Sequence, residues 1–74
     1  MARKASDKGV YRVTEVIGTS SSSWEDAAKS AVKTASKSIR DLRIAEITKL
    51  DVRIENGKVS QFRARLSLSF KYEA

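Results

Sequence analysis

The chain has 74 residues, no cysteine and no histidine, and its fifteen Lys and Arg residues against nine Asp and Glu give a formal net charge of +6. This length allows one domain with a small core, and the composition excludes disulfides, thiolate and imidazole metal ligands, and imidazole bases. No constellation for proton transfer or nucleophilic attack can be assembled, so we expect a protein that is not an enzyme. Because domains this small need extra stabilisation, we also expect self-association.

Residues 1–9 are basic and have no apolar pattern, with Arg3, Lys4 and Lys8 against Asp7. This composition predicts a flexible tail, followed by one domain over residues 10–74. The longest uninterrupted apolar runs are two residues, so nothing resembles a signal peptide or a membrane-spanning segment. We therefore expect a soluble, cytoplasmic protein without a membrane partner.

The first predicted element is a strand over residues 10–17, which is rich in β-branched and aromatic residues. Its apolar parity contains Tyr11, Val13 and Ile17, with Glu15 as the exception. Gly18 is expected to end this strand.

A serine-rich loop over residues 18–23 leads into a helix predicted over residues 24–42. The spacing of Ser22 and Glu25 is that of a capping box, which marks the helix start. We expect Trp24 to close the end of the core against Ile17 or Phe70. The apolar stripe of the helix comprises Trp24, Ala27, Ala28, Ala31, Val32, Ala35, Ile39 and Leu42. We interpret the outward cations as a solvated face: Lys29, Lys33, Lys37 and Arg40.

Two further strands are predicted over residues 44–55 and 58–72, joined by Asn56-Gly57. Both turn residues tolerate the positive φ of a type I′ turn, so Glu55 is expected to pair with Lys58. The third strand alternates strictly. Its apolar face, which must cover the helix, contains Phe62, Ala64, Leu66, Leu68, Phe70 and Tyr72, and its other face contains Gln61, Arg63, Arg65, Ser67, Ser69 and Lys71.

The apolar pattern of the second strand changes parity after Thr48. Carrying the register along the hairpin places Ala45 opposite Leu68, on the face that covers the helix. Beyond Thr48 the apolar residues are Leu50, Val52 and Ile54, of the opposite parity. Either a bulge near residues 48–49 resets the register, or the hairpin tip has an apolar patch on the side away from the helix. We favour the second interpretation, with contacts between subunits through the tip.

The predicted order is β-α-β-β, which belongs to the α+β class. A short turn cannot join the first strand to the second, so the helix serves as the crossover. We expect a three-stranded antiparallel sheet curled around one long helix. This arrangement leaves one sheet face uncovered.

Four segments of the chain resemble the dodecin family: VYRVTEVIGTS (residues 10–20), WEDAA (24–28), SIRDL (38–42) and LSLSFK (66–71). The resemblance covers residues 10–73, and its most specific part is the Gly-Thr-Ser loop. It implies a βαββ protomer assembled into a hollow homo-dodecamer with cubic symmetry. It also implies non-enzymatic storage or sequestration of flavin (FMN or riboflavin), whose rings stack between paired tryptophans at subunit contacts.

The chain departs from this family pattern at the flavin site. The family's stacking tryptophan stands two residues before the glutamate that is Glu46 here, and this chain has Ile44 at that position. The family's flavin-binding glutamine, seven residues before Phe70, corresponds to Arg63. Isoleucine has no flat face, and stacking contributes about 0.5–1.5 kcal/mol beyond burial. We expect flavin binding to be weak or lost, at a site formed by Ile44, Glu46, Arg63 and Arg65.

Other ligands remain open. Arg63 suits an anion better than a neutral ring, although polar pairing of Glu46 with Arg65 across the hairpin explains these residues without any ligand. A divalent cation is an alternative if symmetry brings carboxylates together, from Asp41, Asp51 and Glu55. A basic nucleic-acid module is the weakest alternative, because the Phe residues lie on the core face.

Overall fold

The computed structural model describes residues 9–71, which form β1 (Tyr11–Ser20), α1 (Trp24–Ser36), β2 (Leu42–Glu55) and β3 (Lys58–Lys71). The strands form one antiparallel sheet in the order β1-β3-β2. The β-α-β-β order and the crossover helix are therefore confirmed. The predicted tail, apart from Gly9, and Tyr72 at the predicted end of the third strand lie outside the described residues.

The N-cap of α1 is Ser23, and the prediction of Ser22 was wrong by one residue. The Ser23 hydroxyl accepts a hydrogen bond from the Asp26 amide at 3.0 Å. The Ser20 hydroxyl donates to the Asp26 carboxylate at 2.7 Å. The serine loop thus ties the end of β1 to the first turn of the helix, where an acidic side chain is also favoured by the helix dipole.

The helix ends at Ser36, and the prediction that it continues to Leu42 was wrong. After Ser36 the chain tightens into a turn, and Asp41 adopts a positive φ of 56°. The physical reason is that Leu42 already pairs with Phe70 in the sheet, so the chain must reverse before that point. Ile39 and Leu42 still pack against the core, which explains why they fit the helical stripe.

The core is formed by small residues of α1 packed on alternating residues of β3. Its buried members are Ala27, Ala31, Ala35, Ala64, Leu66 and Leu68. The prediction that Gly18 ends β1 was wrong. Gly18 lies inside the strand, opposite Ala64. A Cβ at Gly18 would lie 2.1 Å from the Ala27 carbonyl oxygen and 2.8 Å from the Ala31 Cβ. Glycine is therefore required here by the close approach of the helix.

The predicted hairpin is confirmed. Asn56 and Gly57 have φ of 53° and 74°, and Glu55 pairs with Lys58. The expected pairing of Ala45 with Leu68 also forms.

The change of parity in β2 is caused by a bulge, so the expected apolar patch on the side away from the helix was wrong. Contacts between subunits through the tip stay a prediction. The register shifts between Ile47 and Lys49, and the Thr48 hydroxyl donates to the Arg65 carbonyl oxygen at 3.2 Å. After the bulge, Leu50 lies opposite Ala64, on the helix side of the sheet. The last β1 pair is Ser20 with Phe62, and the β2–β3 hairpin continues beyond it to an exposed tip that contains Ile54 and Val59.

Candidate functional site

The candidate site is the sheet face that points away from α1, which we call the outer face. Its three strands contribute alternate residues, and no described element covers it. From β3 it contains Gln61, Arg63, Arg65, Ser67, Ser69 and Lys71, from β1 Tyr11, Val13, Glu15, Ile17 and Thr19, and from β2 Ile44, Glu46, Lys49, Asp51 and Arg53.

One end of the outer face is apolar. Val13 and Ile44 flank Ser69 in one cross-strand row, and their exposed fractions are 61% and 58%. Tyr11 and Ile17 are also exposed on this face. The alternate apolar residues predicted for the first strand therefore point outward rather than into the protomer core. Apolar side chains gathered on an uncovered face are typical of an interaction surface.

The next two rows carry charge. Glu15 and Glu46 flank Ser67, and Arg65 lies one row further along β3. The Arg65 guanidinium contacts the Glu15 carboxylate at 3.7 Å, so the expected pair of Arg65 with Glu46 does not form. Glu15 and Glu46 lie in the same row next to Arg65, and the guanidinium pairs with the acid of β1. Within residues 9–71, Glu46 forms no ion pair.

Arg63 is bound by Asp51 directly across the hairpin. Its Nε and one terminal nitrogen donate to the two carboxylate oxygens at 2.7 and 3.0 Å, which is a bidentate geometry. The hydrogen bond from Arg63 lowers the pKa of the Asp51 carboxyl below its usual value, and the same bond raises the pKa of Arg63. Because Asp51 neutralises this guanidinium, Arg63 is a weaker anion ligand than its position suggested. Sequence reasoning missed the pair because it depends on a second register shift, between Arg53 and Ile54 near the turn, which brings Asp51 opposite Arg63.

The four predicted site residues share the outer face but are not all neighbours. Ile44, Glu46 and Arg65 occupy three successive rows. Ile44 lies opposite Ser69 of β3, Glu46 lies opposite Ser67, and Arg65 is the next outer-face residue of β3. Arg63 lies three rows from Ile44, a separation of about 20 Å at the rise of a strand. A single flavin ring that contacts both positions would therefore have to lie between protomers.

Trp24 lies on the opposite side of the sheet from these residues. Its indole N–H donates to the Asp51 carbonyl oxygen at 3.0 Å, and its ring meets the edge of Phe62 at 5.2 Å with an interplanar angle of 77°. The expected contacts with Ile17 or Phe70 were wrong, because Phe62 is the β3 aromatic nearest the helix start. These contacts give Trp24 a structural role.

The carboxylates considered as metal ligands are engaged in ion pairs. Asp41, Asp51 and Glu55 contact Arg43, Arg63 and Arg53, respectively. Over residues 9–71 no three acidic side chains come together as a metal site. Over the same residues, no helix has the length and apolarity needed to span a membrane.

Comparison with known proteins gives consistent matches. The family model described as Dodecin matches residues 10–73. The calcium dodecin of Mycobacterium tuberculosis is 40% identical over 62 residues, covering 84% of this chain and 87% of that protein. Its crystal structure, described as having a novel calcium-binding site, has a TM-score of 0.78 at 42% identity, covering 86% of this chain and 91% of that one. The dodecin structure from Streptomyces coelicolor has a TM-score of 0.85 at 39% identity, covering 90% and 96%.

Proposed function

This chain belongs to the dodecin family, and from that premise we propose that it forms a homo-dodecameric, non-enzymatic shell that binds and stores a small ligand. The observation that carries the proposal is the uncovered outer face. Val13, Ile17 and Ile44 expose about half or more of their surface there, and a second protomer is the natural cover for them. The protruding β2–β3 hairpin offers further apolar surface at Ile54 and Val59.

We propose that flavin binds this shell weakly or not at all. Ile44 has the exposure needed to meet a flavin ring but lacks a planar face to stack on it. Arg63, at the other position of the family site, has two of its donors committed to Asp51. Neither position therefore supplies the contact that the family pattern requires.

A divalent cation is the second candidate ligand, and calcium is the one favoured by the relatives. The matched calcium dodecin of Mycobacterium tuberculosis is described with a calcium-binding site in its crystal structure. Within this chain the supporting observation is Glu46, the outer-face carboxylate without an ion-pair partner among residues 9–71. A site built from it would need Glu46 from more than one protomer, because calcium takes about 6–8 oxygen ligands.

The proposal is tested by native mass spectrometry of the purified protein together with a flavin titration. We expect a mass of twelve protomers without bound flavin. Titration of riboflavin or FMN, followed by flavin fluorescence, should show weak or absent binding. A bare monomer would contradict the assembly, and copurified stoichiometric flavin would contradict the reasoning from Ile44.

A gain-of-function variant makes the flavin test sharper. Ile44→Trp combined with Arg63→Gln restores the family residues, and we expect at least tenfold tighter flavin binding than in the wild type. Ile17→Trp places a tryptophan elsewhere on the outer face and is the matched control, with no such gain. Equal gains in both variants would mean that any exposed indole suffices, and the assigned positions would be wrong.

The calcium candidate is tested by isothermal titration calorimetry. We expect Glu46→Gln to abolish the heat of calcium binding, because it removes the charge at nearly constant size. Glu25→Gln, in the exposed first turn of α1, is the control and should leave the heat unchanged. Absence of heat in the wild type at millimolar calcium would eliminate this candidate while leaving the assembly proposal intact.

A further inference from the structure

An apolar cleft of about 390 Å³ lies on the helix side of the sheet, between α1 and the edge strand β2. Small side chains keep the cleft open. Ala28 lines it from α1 and Ala45 lines it from β2, where larger side chains would fill the space. The buried Leu66 lies at its base, and Ile47 forms one wall with half of its surface exposed. The complete lining is Ala28, Lys29, Val32, Lys33, Ala45, Ile47 and Leu66.

Two cations border this otherwise apolar cleft. Lys29 and Lys33 are one helical turn apart, a rise of about 6 Å. Neither forms an ion pair with any residue in the described range 9–71. The nearest acid in sequence on β2 is Glu46, but its side chain points to the outer face, on the other side of the sheet. The cleft therefore combines apolar walls with two positive charges that form no ion pair within the described part of the chain.

We propose that this cleft binds a small amphiphilic anion, a molecule with an apolar body and a carboxylate, sulfonate or phosphate head. The apolar walls remove the body from water, and the two ammonium groups pair with the head. The volume falls within the range of about 300–1,000 Å³ that is usual for small-molecule sites. This site is separate from the flavin and calcium positions, which lie on the outer face, and it does not rest on either ligand.

The size of the cleft favours a small molecule over a protein partner. The seven lining residues are few compared with the roughly 20–30 per side of a stable protein interface. The charge balance also points to an anion, because neither lysine has an ion-pair partner within residues 9–71. An apolar and acidic segment of a second copy is the competing occupant, and the experiment distinguishes the two.

The test uses two fluorescent probes with the assembled protein. Anilinonaphthalenesulfonate carries the apolar body and the anionic head, and N-phenylnaphthylamine has a similar body without charge. We expect saturable sulfonate binding that weakens with salt. Replacing both lysines, Lys29→Gln with Lys33→Gln, should weaken sulfonate binding at least tenfold and change binding of the neutral probe less than twofold.

Two further variants locate the site. Lys37→Gln, at the C-cap of the same helix but outside the lining of the cleft, is the matched control and should change sulfonate binding less than twofold. Ala45→Leu fills the cleft and should abolish binding of both probes. Circular dichroism and native mass are measured for every variant, so that loss of folding is not mistaken for loss of the site.

Three results would overturn the inference. The first is no saturable binding of the sulfonate to the folded wild-type assembly. The second is equal weakening by Lys37→Gln and by the double lysine variant, which would show binding to net charge rather than to the cleft. The third is dissociation of the assembly when Lys29 and Lys33 are replaced, which would show that a second copy occupies the cleft.

Discussion

Substitution of Gly18 by alanine tests the packing of the protomer at its tightest contact. The added Cβ would lie 2.1 Å from the Ala27 carbonyl oxygen, whereas ordinary van der Waals contact begins at 3.4 Å, a shortfall of about 1.3 Å. The obstructing atom belongs to the helix backbone and cannot rotate away, so α1 must move off the sheet. Gly18 has no positive φ, so the steric contact alone determines the cost.

The expected loss of stability follows from two opposing terms. Overpacking of a core costs about 1–3 kcal/mol, and we expect the upper part of this range because a backbone atom is struck. Alanine regains about 0.4–1 kcal/mol by restricting the unfolded chain. The net loss is therefore about 2 kcal/mol, equivalent to a decrease in Tm of about 8–16 °C for a domain of this size. The assay is urea and thermal unfolding at a fixed protomer concentration, because self-association makes both midpoints concentration-dependent.

Two controls accompany this measurement. Thr19→Ala, at the exposed neighbouring position of β1, should lower the free energy of unfolding by less than about 0.5 kcal/mol. Ala31→Gly removes the second contact, at 2.8 Å, but leaves the Ala27 carbonyl in place, so it should not rescue Gly18→Ala. A Tm for Gly18→Ala within 2 °C of the wild type would refute the reasoning, and rescue by Ala31→Gly would show that the wrong contact was held responsible.

Three further predictions concern single contacts. Ser23→Ala removes the N-cap hydroxyl and should cost about 1 kcal/mol in urea unfolding, whereas Ser22→Ala should be nearly neutral. Gly57→Ala forces a side chain into the left-handed region at φ 74° and should cost about 1 kcal/mol in the same assay, although its Cβ would meet no other atom. Arg63→Gln should raise the pKa of Asp51, because it removes the hydrogen bond that lowers this pKa most, and carboxyl NMR titration measures the change. The pair lowers the pKa of Asp51 in the folded state. Its contribution to stability is therefore present above the unfolded-state pKa of Asp51 and disappears as the pH falls through the folded-state pKa. The difference in stability between wild type and Arg63→Gln should shrink over that pH range. An unchanged Asp51 pKa in the variant would contradict the assigned pair.

The arrangement of charge bears on how the protomer can assemble. On the outer face, Arg63 and Arg65 are paired with Asp51 and Glu15, so much of this face is electrically balanced. Along α1, by contrast, Lys29 and Lys33 have no acidic partner within residues 9–71. A balanced face with apolar residues suits contact between identical subunits, and the cationic flank suits an anionic ligand.

Local patterns in the sequence determined the order and type of the elements. The alternation of residues 58–71 is a period that only a strand satisfies, and the apolar stripe after Trp24 has the period of a helix. Asn56-Gly57 fixed the hairpin and the pairing next to the turn, as far as the register shift between Ile54 and Arg53, because few other residues accept two successive positive φ angles. These features depend on residues close together in the chain. For that reason the β-α-β-β order and the sheet could be predicted, and the pattern also identified the family.

The tertiary structure decided the features that depend on pairing between distant segments. The sequence allowed two interpretations of β2, and a bulge at Thr48 was one of them. The folded protomer adopts the bulge, which keeps the apolar residues Ile47 and Leu50 on the face that covers the helix. A second register shift, between Arg53 and Ile54, places Asp51 opposite Arg63 and so determines the electrostatics of the candidate site. The end of α1 at Ser36 is likewise imposed by the pairing of Leu42 in the sheet, since the helical stripe itself continues further. Local periodicity contains no information on such contacts, because their partners lie many residues away.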